Sequence, residues 1–307
     1  MLSVLACPSA YANSIGANLV HCFHLLNTNN SLKCSPVVQF GSTRFQRNCF
    51  KSFCKSKEHI THDTPFSQGF SVLEEDGPWE SGDVWSILAL YVFTLHIPFS
   101  FGGLSVVALL TRQPLLHPQT QALSLLTIQI LELNGALVLL KHMAKPQYKF
   151  SNLFKHNKLL SNRSWFVSSA LGFGFLVLLI FLTSLLADSL FGSKPVNIPI
   201  LKDILLNSDI SRVSCVLAYC IVTPLLEEVV YRGFLLTSLS STMEWQKAVA
   251  ISSVVFSAIH FSGDSFLQFF IIGCVLGCSY CWTGNLNTPI AIHSFYNALT
   301  VVITYFY

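Results

Sequence analysis

Charged side chains are scarce in this chain. Asp, Glu, Lys and Arg make up only 11% of its 307 residues, whereas hydrophobic residues make up 52%. A soluble domain carries about 25% charged residues. The mean hydropathy of +0.55 agrees with this imbalance. The shortage of charge excludes an ordinary soluble domain and predicts an integral membrane protein whose partner is the lipid bilayer.

A basic surface is also lacking. The formal net charge is only +3, and the basic residues form no stripe interleaved with aromatic residues. Such a stripe is the electrostatic footprint of proteins that bind nucleic acid. We therefore expect no nucleic-acid partner.

Acidic residues are absent from positions 1–57, which are rich in Ser, Asn and Cys and contain six basic residues. This composition is typical of organelle transit peptides. The first basic residue is Lys33, too late for a secretory signal, and a mitochondrial presequence normally carries arginine early. We interpret residues 1–60 as a plastid transit peptide and expect a chloroplast membrane, thylakoid or inner envelope. A mitochondrial membrane is the alternative location, and a disordered tail is the alternative structure.

Long apolar segments dominate the rest of the chain. An acidic linker is predicted at 61–83, N-terminal transmembrane helices and loops at 84–210, and a core domain at 211–307. Segments of about the 20 residues that a bilayer requires lie near 84–110, 120–141, 165–187, 212–239, 247–262, 265–283 and 288–306. The predicted fold class is therefore all-α, a polytopic transmembrane bundle of about seven helices.

Two adjacent acids and one arginine interrupt the fourth of these segments. Glu228 and Arg232 are four residues apart, the spacing of an ion pair on one helical face. Glu227 points about 100° away from that face and is left free, which suits a general base. A buried structural ion pair would explain Glu228 and Arg232 but not Glu227.

Polar residues also interrupt two later segments, at His260 and at His293 with Asn297. A lone histidine on an apolar helix is more often a hydrogen-bonded structural residue than a catalyst. However, His293 and Asn297 lie one helical turn apart and can aim two donors at one point, as an oxyanion site requires. The combination favours catalysis.

The spacing of these residues along the chain makes two geometric predictions. Glu227 and His260 lie equally far from the polar turn 240–244, so an antiparallel hairpin would bring them to similar depth. Straight helices would instead place His260 and His293 near opposite membrane faces. At least one of these helices must therefore be tilted, broken or displaced.

Three short motifs follow one another on these apolar segments: EEVVYR at 227–232, FSAIH at 256–260 and HSFYN at 293–297. They resemble the EExxxR, FxxxH and HxxxN motifs of the CPBP family, the CAAX-prenyl endopeptidases and bacteriocin-processing intramembrane proteases. The resemblance covers roughly residues 211–305 and leaves the leader and the first three helices unmatched. With its leader, the chain is similar to a plant plastid-type member.

The resemblance implies an intramembrane endopeptidase that hydrolyses a peptide bond of a membrane-associated protein or peptide. By position, Glu227 would activate water with help from His260. His293 and Asn297 would stabilise the oxyanion of the tetrahedral intermediate. Glu228 and Arg232 would order the helix and are available to hold a substrate carboxylate.

Whether a metal ion takes part in this chemistry is a separate question. If zinc takes part, Glu227, His260 and His293 would form a His2Glu site with one open position. No HExxH motif fixes two ligands on one helix, and His293 with Asn297 is better explained as a pair of donors. We therefore expect glutamate-based catalysis without a cofactor.

Two other functions remain alternatives. The first is a non-proteolytic scaffold or chaperone-like regulator that keeps the protease fold. The second is a proton-coupled transporter, since intramembrane Glu, His and Arg also mark proton pathways, although the repeated halves typical of transporters are not visible. Glu132, in the middle of the second segment, is interpreted as structural, either paired with a group such as Arg232 or facing an aqueous cavity.

Overall fold

The computed structural model of the protein describes residues 69–73, 77–154, 163–191, 199–263 and 265–306. Within these residues the chain is entirely helical, with no strand. They all belong to one compact unit. The transit peptide predicted at 1–60 lies outside the described residues, as does part of the predicted acidic linker.

Eight helices follow one another in the described part of the chain. They are α1 Val84–Thr111, α2 Pro118–Met143, α3 Trp165–Phe191, α4 Pro199–Asn207, α5 Asp209–Ser240, α6 Trp245–Ile259, α7 Phe266–Thr283 and α8 Asn287–Phe306. Six of them, α1, α2, α3, α5, α7 and α8, are long and apolar enough to cross a membrane. The predicted all-α polytopic bundle is confirmed.

Helix α6 is apolar but has only 15 residues. At 1.5 Å per residue it is about 22 Å long, shorter than the roughly 30 Å hydrocarbon core. His260, which follows its last residue, is therefore held inside the bundle rather than at its edge. A short α6 that ends before His260 is one form of the interruption that the spacing of His260 and His293 along the chain predicts.

Local sequence signals fix several helix ends. Pro118 opens α2, where its missing N–H would have no partner in any case. The Ser208 hydroxyl accepts from the Ser211 N–H at 3.2 Å and so caps α5. Gly284 ends α7 in the left-handed region, with φ +60°. These ends set the register of the helices that carry the polar residues.

Helix α5 is the most buried of the long helices, with 67% of its most apolar window inside the bundle. The corresponding windows of α1 and α3 are 0% and 6% buried. Leu109 and Leu171, on these two outer helices, are among the apolar side chains that point outward. Since lipid is the solvent of a transmembrane bundle, these outer faces are suited to contact acyl chains, and α5 is suited to carry polar groups.

Helices α6 and α7 pack with their backbones unusually close. A Cβ on Gly273 would lie 2.8 Å from the Ser253 Cβ and 3.0 Å from its Cα. Small residues at such a crossing let two membrane helices approach closely. This contact packs the middle of α6, seven residues before His260, against α7.

The described parts of the predicted linker are tied to the helices. Arg163 donates to the carbonyls of Gly69, Phe70 and Trp282 at 3.0–3.1 Å, and its guanidinium lies 3.9 Å from the Trp282 ring centroid. Trp79 is 2% exposed and donates its indole N–H to the Leu140 carbonyl. These contacts anchor the chain just before α1.

Candidate active site

A cavity of about 20 Å³ lies among α1, α2, α5 and the residues that end α6. This volume is enough for at least one water molecule, and the walls supply polar partners for it. The lining residues are His96, Ser100, Phe101, Leu125, Gln129, Tyr219, Thr223, Glu227, Ile259 and His260. The structure therefore brings Glu227 and His260 to one polar space inside the bundle.

Helix α5 is irregular on both sides of its two glutamates. A short α-helical stretch, Thr223–Glu228, lies between two π-helical segments, Ala218–Val222 and Val229–Leu236. Such wide turns occur frequently at functional sites. Here they interrupt the regular helix directly beside Glu227 and Glu228, which are 3% and 0% exposed.

Glu227 and His260 face each other across the α5–α6 hairpin. The distance from Glu227 Oε1 to His260 Nε2 is 3.6 Å, and the predicted equal depth of the two residues agrees with it. His260 Nδ1 lies 2.6 Å from the Phe256 carbonyl oxygen. Because a carbonyl only accepts, Nδ1 carries the proton, and Nε2 is the nitrogen turned to Glu227. The Phe269 ring stacks on the imidazole at 4.1 Å.

Glu228 is the centre of a second, fully buried cluster. Its Oε1 accepts from Arg232 Nη1 at 2.9 Å and from His293 Nδ1 at 2.7 Å. The ion pair predicted between Glu228 and Arg232 is present. The second terminal nitrogen of Arg232, Nη2, donates to the Gly273 carbonyl. This cluster joins α5 to α7 and α8.

Arg232 is 1% exposed and does not line the cavity. Each of its terminal nitrogens already donates one hydrogen bond, and its guanidinium lies 4.6 Å from the Phe256 ring centroid. Its contacts fit the expected role in ordering the helix. Its Nε has no hydrogen-bond partner among the described residues, but Arg232 lies outside the cavity lining, so the role in holding a substrate carboxylate stays a prediction.

His293 connects the two glutamates. Its Nδ1 is bonded to Glu228, and its Nε2 lies 3.6 Å from Glu227 Oε2. Because the Glu228 oxygen in the ion pair with Arg232 accepts, the 2.7 Å contact requires a proton on His293 Nδ1. The free Nε2 can therefore donate to an oxyanion only when the ring is an imidazolium.

Asn297 does not point to the same place as His293. Its amide Nδ2 donates to the Tyr219 carbonyl at 2.8 Å, in the first π-helical segment of α5. Tyr219 lines the cavity, whereas Asn297 and His293 do not. The structure thus brings Glu227, His260 and His293 together, and leaves Asn297 one contact removed from the cavity.

Two oxygens of the paired glutamates have no hydrogen-bond partner among the described residues, Glu227 Oε2 and Glu228 Oε2. Buried polar atoms are almost always paired, so exceptions concentrate where a ligand, substrate or water is bound. The free oxygen of Glu227 belongs to the residue that lines the cavity. Glu227 therefore keeps acceptor capacity that the described residues do not use.

The zinc alternative can be compared with these positions. Both histidines have the second-sphere bonds that metal-binding imidazoles show, since each Nδ1 is held by an oxygen. However, no group of three or more His, Cys, Asp or Glu side chains in the described residues is arranged to hold a metal ion. Glu227, His260 and His293 do not form a ready ligand set in this conformation.

Glu132 has partners that its sequence position did not indicate. The suggested pairing with Arg232 is wrong: Glu132 Oε1 accepts from the Tyr91 hydroxyl and lies 2.9 Å from His96 Nδ1, while Oε2 accepts from the Ser100 hydroxyl. The general rule that an intramembrane acid requires a partner pointed to this site. The histidine within α1, His96, was the residue in the sequence that could have indicated this partner.

Comparison with known proteins gives one match. Residues 209–299 match the model of a protein family described as type II CAAX prenyl endopeptidase Rce1-like. This part of the chain is therefore similar to the CAAX prenyl endopeptidases. The matched CAAX protease segment contains the motif residues from Glu227 to Asn297, while α1, α2 and α3 lie outside it. No match was found among the curated proteins or among the solved structures.

Proposed function

We propose that this chain is an intramembrane endopeptidase that hydrolyses a peptide bond of a membrane-associated protein or peptide. The observation that carries the proposal is the position of Glu227 and His260 on one cavity with room for water. The match to CAAX prenyl endopeptidases supports the reaction class.

In this reaction Glu227 is the general base. It takes a proton from water as the oxygen attacks the scissile carbonyl carbon. His260, whose Nδ1 is fixed by Phe256, turns Nε2 toward the same point and orients the water. His293 Nε2 lies 3.6 Å from the other carboxyl oxygen of Glu227, and Glu228 fixes the ring of His293. Glu228 and Arg232 are supporting residues.

The oxyanion of the tetrahedral intermediate requires donors. His293 as an imidazolium and Asn297 are the proposed pair. One N–H of the Asn297 amide is used by Tyr219, and no bond of the second is found among the described residues. The second N–H is the one available to an oxyanion after a small rotation of this side chain.

The proposed mechanism uses no metal. The purified protein should then keep its activity after treatment with EDTA and 1,10-phenanthroline. Loss of activity on chelation and recovery with zinc would instead support Glu227, His260 and His293 as zinc ligands, with zinc supplying an activated water.

We further propose a plastid membrane as the location, on the basis of the acid-poor leader. Prenylation of CAAX proteins is a cytosolic modification, so the proposed natural substrate is a membrane protein or peptide of the organelle. A fusion of residues 1–60 to a fluorescent protein tests the location. Import into mitochondria would support the alternative.

Complementation of a loss-of-function line tests the proposed function. The line is transformed with wild type, Glu227→Gln, His260→Ala and the exposed control Glu244→Gln, and accumulation of each protein is verified by immunoblot. Failure of the first two variants and rescue by the control are expected. Membrane proteins that remain uncleaved in the Glu227→Gln line are then the candidate substrates.

Full rescue by both stable variants would overturn the endopeptidase and favour a scaffold or chaperone-like regulator. A proton-coupled transporter predicts a different result. Glu227→Gln would then abolish proton uptake into vesicles containing the protein, with no change in the cleavage of membrane proteins.

A further inference from the structure

A second cluster of polar groups borders the cavity outside the segment that matches the family. It consists of His96, Tyr91 and Ser100 on α1 and Glu132 on α2, and is called the Glu132 cluster. His96 and Ser100 line the same cavity as Glu227 and His260. Glu132 lies behind them and is 0% exposed.

The backbone of α1 brings the three donors of the Glu132 cluster to one face. Residues Val92–Gly102 are π-helical and contain Pro98. In a π-helix, residues five apart share a face, and Tyr91 and His96 have this spacing. The Tyr91 hydroxyl lies 3.5 Å from His96 Nδ1, and both groups are 2.9 Å from Glu132 Oε1. The wide turn thus points His96 at Glu132.

The carboxylate of Glu132 fixes the ring of His96. Among the described residues, the only ion-pair partner of Glu132 is His96. With Nδ1 donating to Glu132, the second ring nitrogen, Nε2, has no partner in the described part of the chain and belongs to a side chain that lines the cavity. A carboxylate behind an imidazole orients the ring and fixes which nitrogen carries the proton that faces it.

The proposed hydrolysis has an unassigned step that needs such a group. Glu227 takes a proton when water attacks, but an amide nitrogen leaves only after it receives a proton. We propose that His96 is the general acid that protonates the leaving amine, with Glu132 as its positioning residue. This inference rests on the endopeptidase function proposed above.

Proton transfer from His96 completes a balanced reaction. The water oxygen forms a bond to the carbonyl carbon and its proton passes to Glu227. The carbon–nitrogen bond of the tetrahedral intermediate then breaks, its electron pair stays on nitrogen, and the His96 imidazolium gives its Nε2 proton to that nitrogen. Transfer of the Glu227 proton through water restores His96. The net reaction is amide plus water to carboxylic acid and amine.

Four titratable groups lie around His96. Glu132 and Tyr91 bond its Nδ1 side, while Glu227 and His260 share the cavity with it. A change in any of them changes the pH profile of the reaction. For this reason the test compares two substrates at one pH rather than one substrate across a pH range.

The test uses the full chain in detergent with two fluorogenic peptides, both copied from a membrane protein that stays uncleaved in the Glu227→Gln line. One has a scissile amide, and the other has a phenyl ester at the same position. A phenolate leaves without a proton, whereas an amine does not. A general acid is therefore required for the amide alone, while water activation by Glu227 is required for both.

The variants are matched to the geometry. His96→Asn places an amide N–H where Nδ1 stood, so Glu132 keeps its donor, but the cavity loses Nε2. The exposed His142→Asn serves as the control. We expect His96→Asn to lower kcat for the amide about 10²-fold or more and for the ester less than about 10-fold, with KM little changed. Glu227→Gln should abolish both reactions.

Chemical rescue gives a second measurement. Imidazole in solution should restore part of the amide rate of His96→Ala and none of the rate of Glu227→Gln. The role of His96 would be overturned if His96→Asn lowered kcat equally for the amide and the ester, or if it hydrolysed the amide at the wild-type rate. Either result would leave the endopeptidase intact. Hydrolysis of neither compound by wild type would overturn the endopeptidase and His96's role with it.

Discussion

Glu227 Oε1 lies 3.6 Å from His260 Nε2, and the opposite nitrogen of that imidazole is bonded to the Phe256 carbonyl. The ring therefore cannot turn without losing a 2.6 Å hydrogen bond. Both residues line the cavity that has room for water, so one water molecule there can contact both side chains. The length of the glutamate side chain sets that space.

Shortening this side chain tests the dependence on position. Glu227→Asp keeps the carboxyl group but withdraws it by one methylene. A displacement of about 1 Å at a reacting group costs on the order of 10²-fold in rate, and we expect a loss of this size in kcat. The measurement is hydrolysis of a fluorogenic peptide alongside a thermal melt. A wild-type rate in the Asp variant would contradict the role of base.

Glu228 is predicted to act on stability. Replacing it by Gln leaves Arg232, 1% exposed, without its counter-charge. Breaking a buried pair in this way typically costs about 3–5 kcal/mol. Denaturation in detergent should show a loss of this order for Glu228→Gln. Asp209→Asn, in the exposed pair with Arg212, is the control and should change the unfolding free energy by less than about 1 kcal/mol.

Asn297 is predicted to contribute both to stability and to catalysis, and the two effects can be measured separately. Asn297→Ala removes the bond to the Tyr219 carbonyl, which should cost about 1 kcal/mol of stability. If the second N–H stabilises the oxyanion, kcat should also fall about 10²–10³-fold with KM nearly constant. A small shift in melting temperature with an unchanged kcat would restrict Asn297 to bonding Tyr219.

The crossing of α6 and α7 predicts a contrast between two glycines. Gly273→Ala would put a methyl group 2.8 Å from the Ser253 Cβ, and overpacking of this kind costs about 1–3 kcal/mol. Gly174, on α3, faces open space, because a Cβ added there would meet nothing within 4 Å. Gly174→Ala should be neutral or slightly stabilising, because alanine favours helix. Equal melting temperatures of the two variants would refute the close approach.

The sequence predicted contacts that depend on local spacing. Glu228 and Arg232 are four residues apart on one helix, and the α5–α6 hairpin brings Glu227 to His260, so counting residues was enough. The membrane-helical fold followed from the scarcity of charge and the length of the apolar segments. These features need no knowledge of tertiary packing.

The remaining contacts required the folded chain. Glu132 meets Tyr91, His96 and Ser100 across 32–41 residues of sequence, and the π-helical turns that aim these groups have no signature in the hydrophobic pattern. The expected common target of His293 and Asn297 assumed a regular helix facing one point. Instead, each side chain found a separate acceptor on α5, Glu228 and the Tyr219 carbonyl.

The charges of the buried polar groups around Glu132, Glu227 and Glu228 can also be added up. Three carboxyl groups, Glu132, Glu227 and Glu228, lie inside the bundle with one guanidinium, Arg232, and three imidazoles. If every carboxyl is ionised, neutrality requires two protons beyond those of the neutral rings, and a low-dielectric interior strongly favours neutrality. A substitution that removes one of these charges therefore changes the charge of the whole buried site and not that of one residue alone.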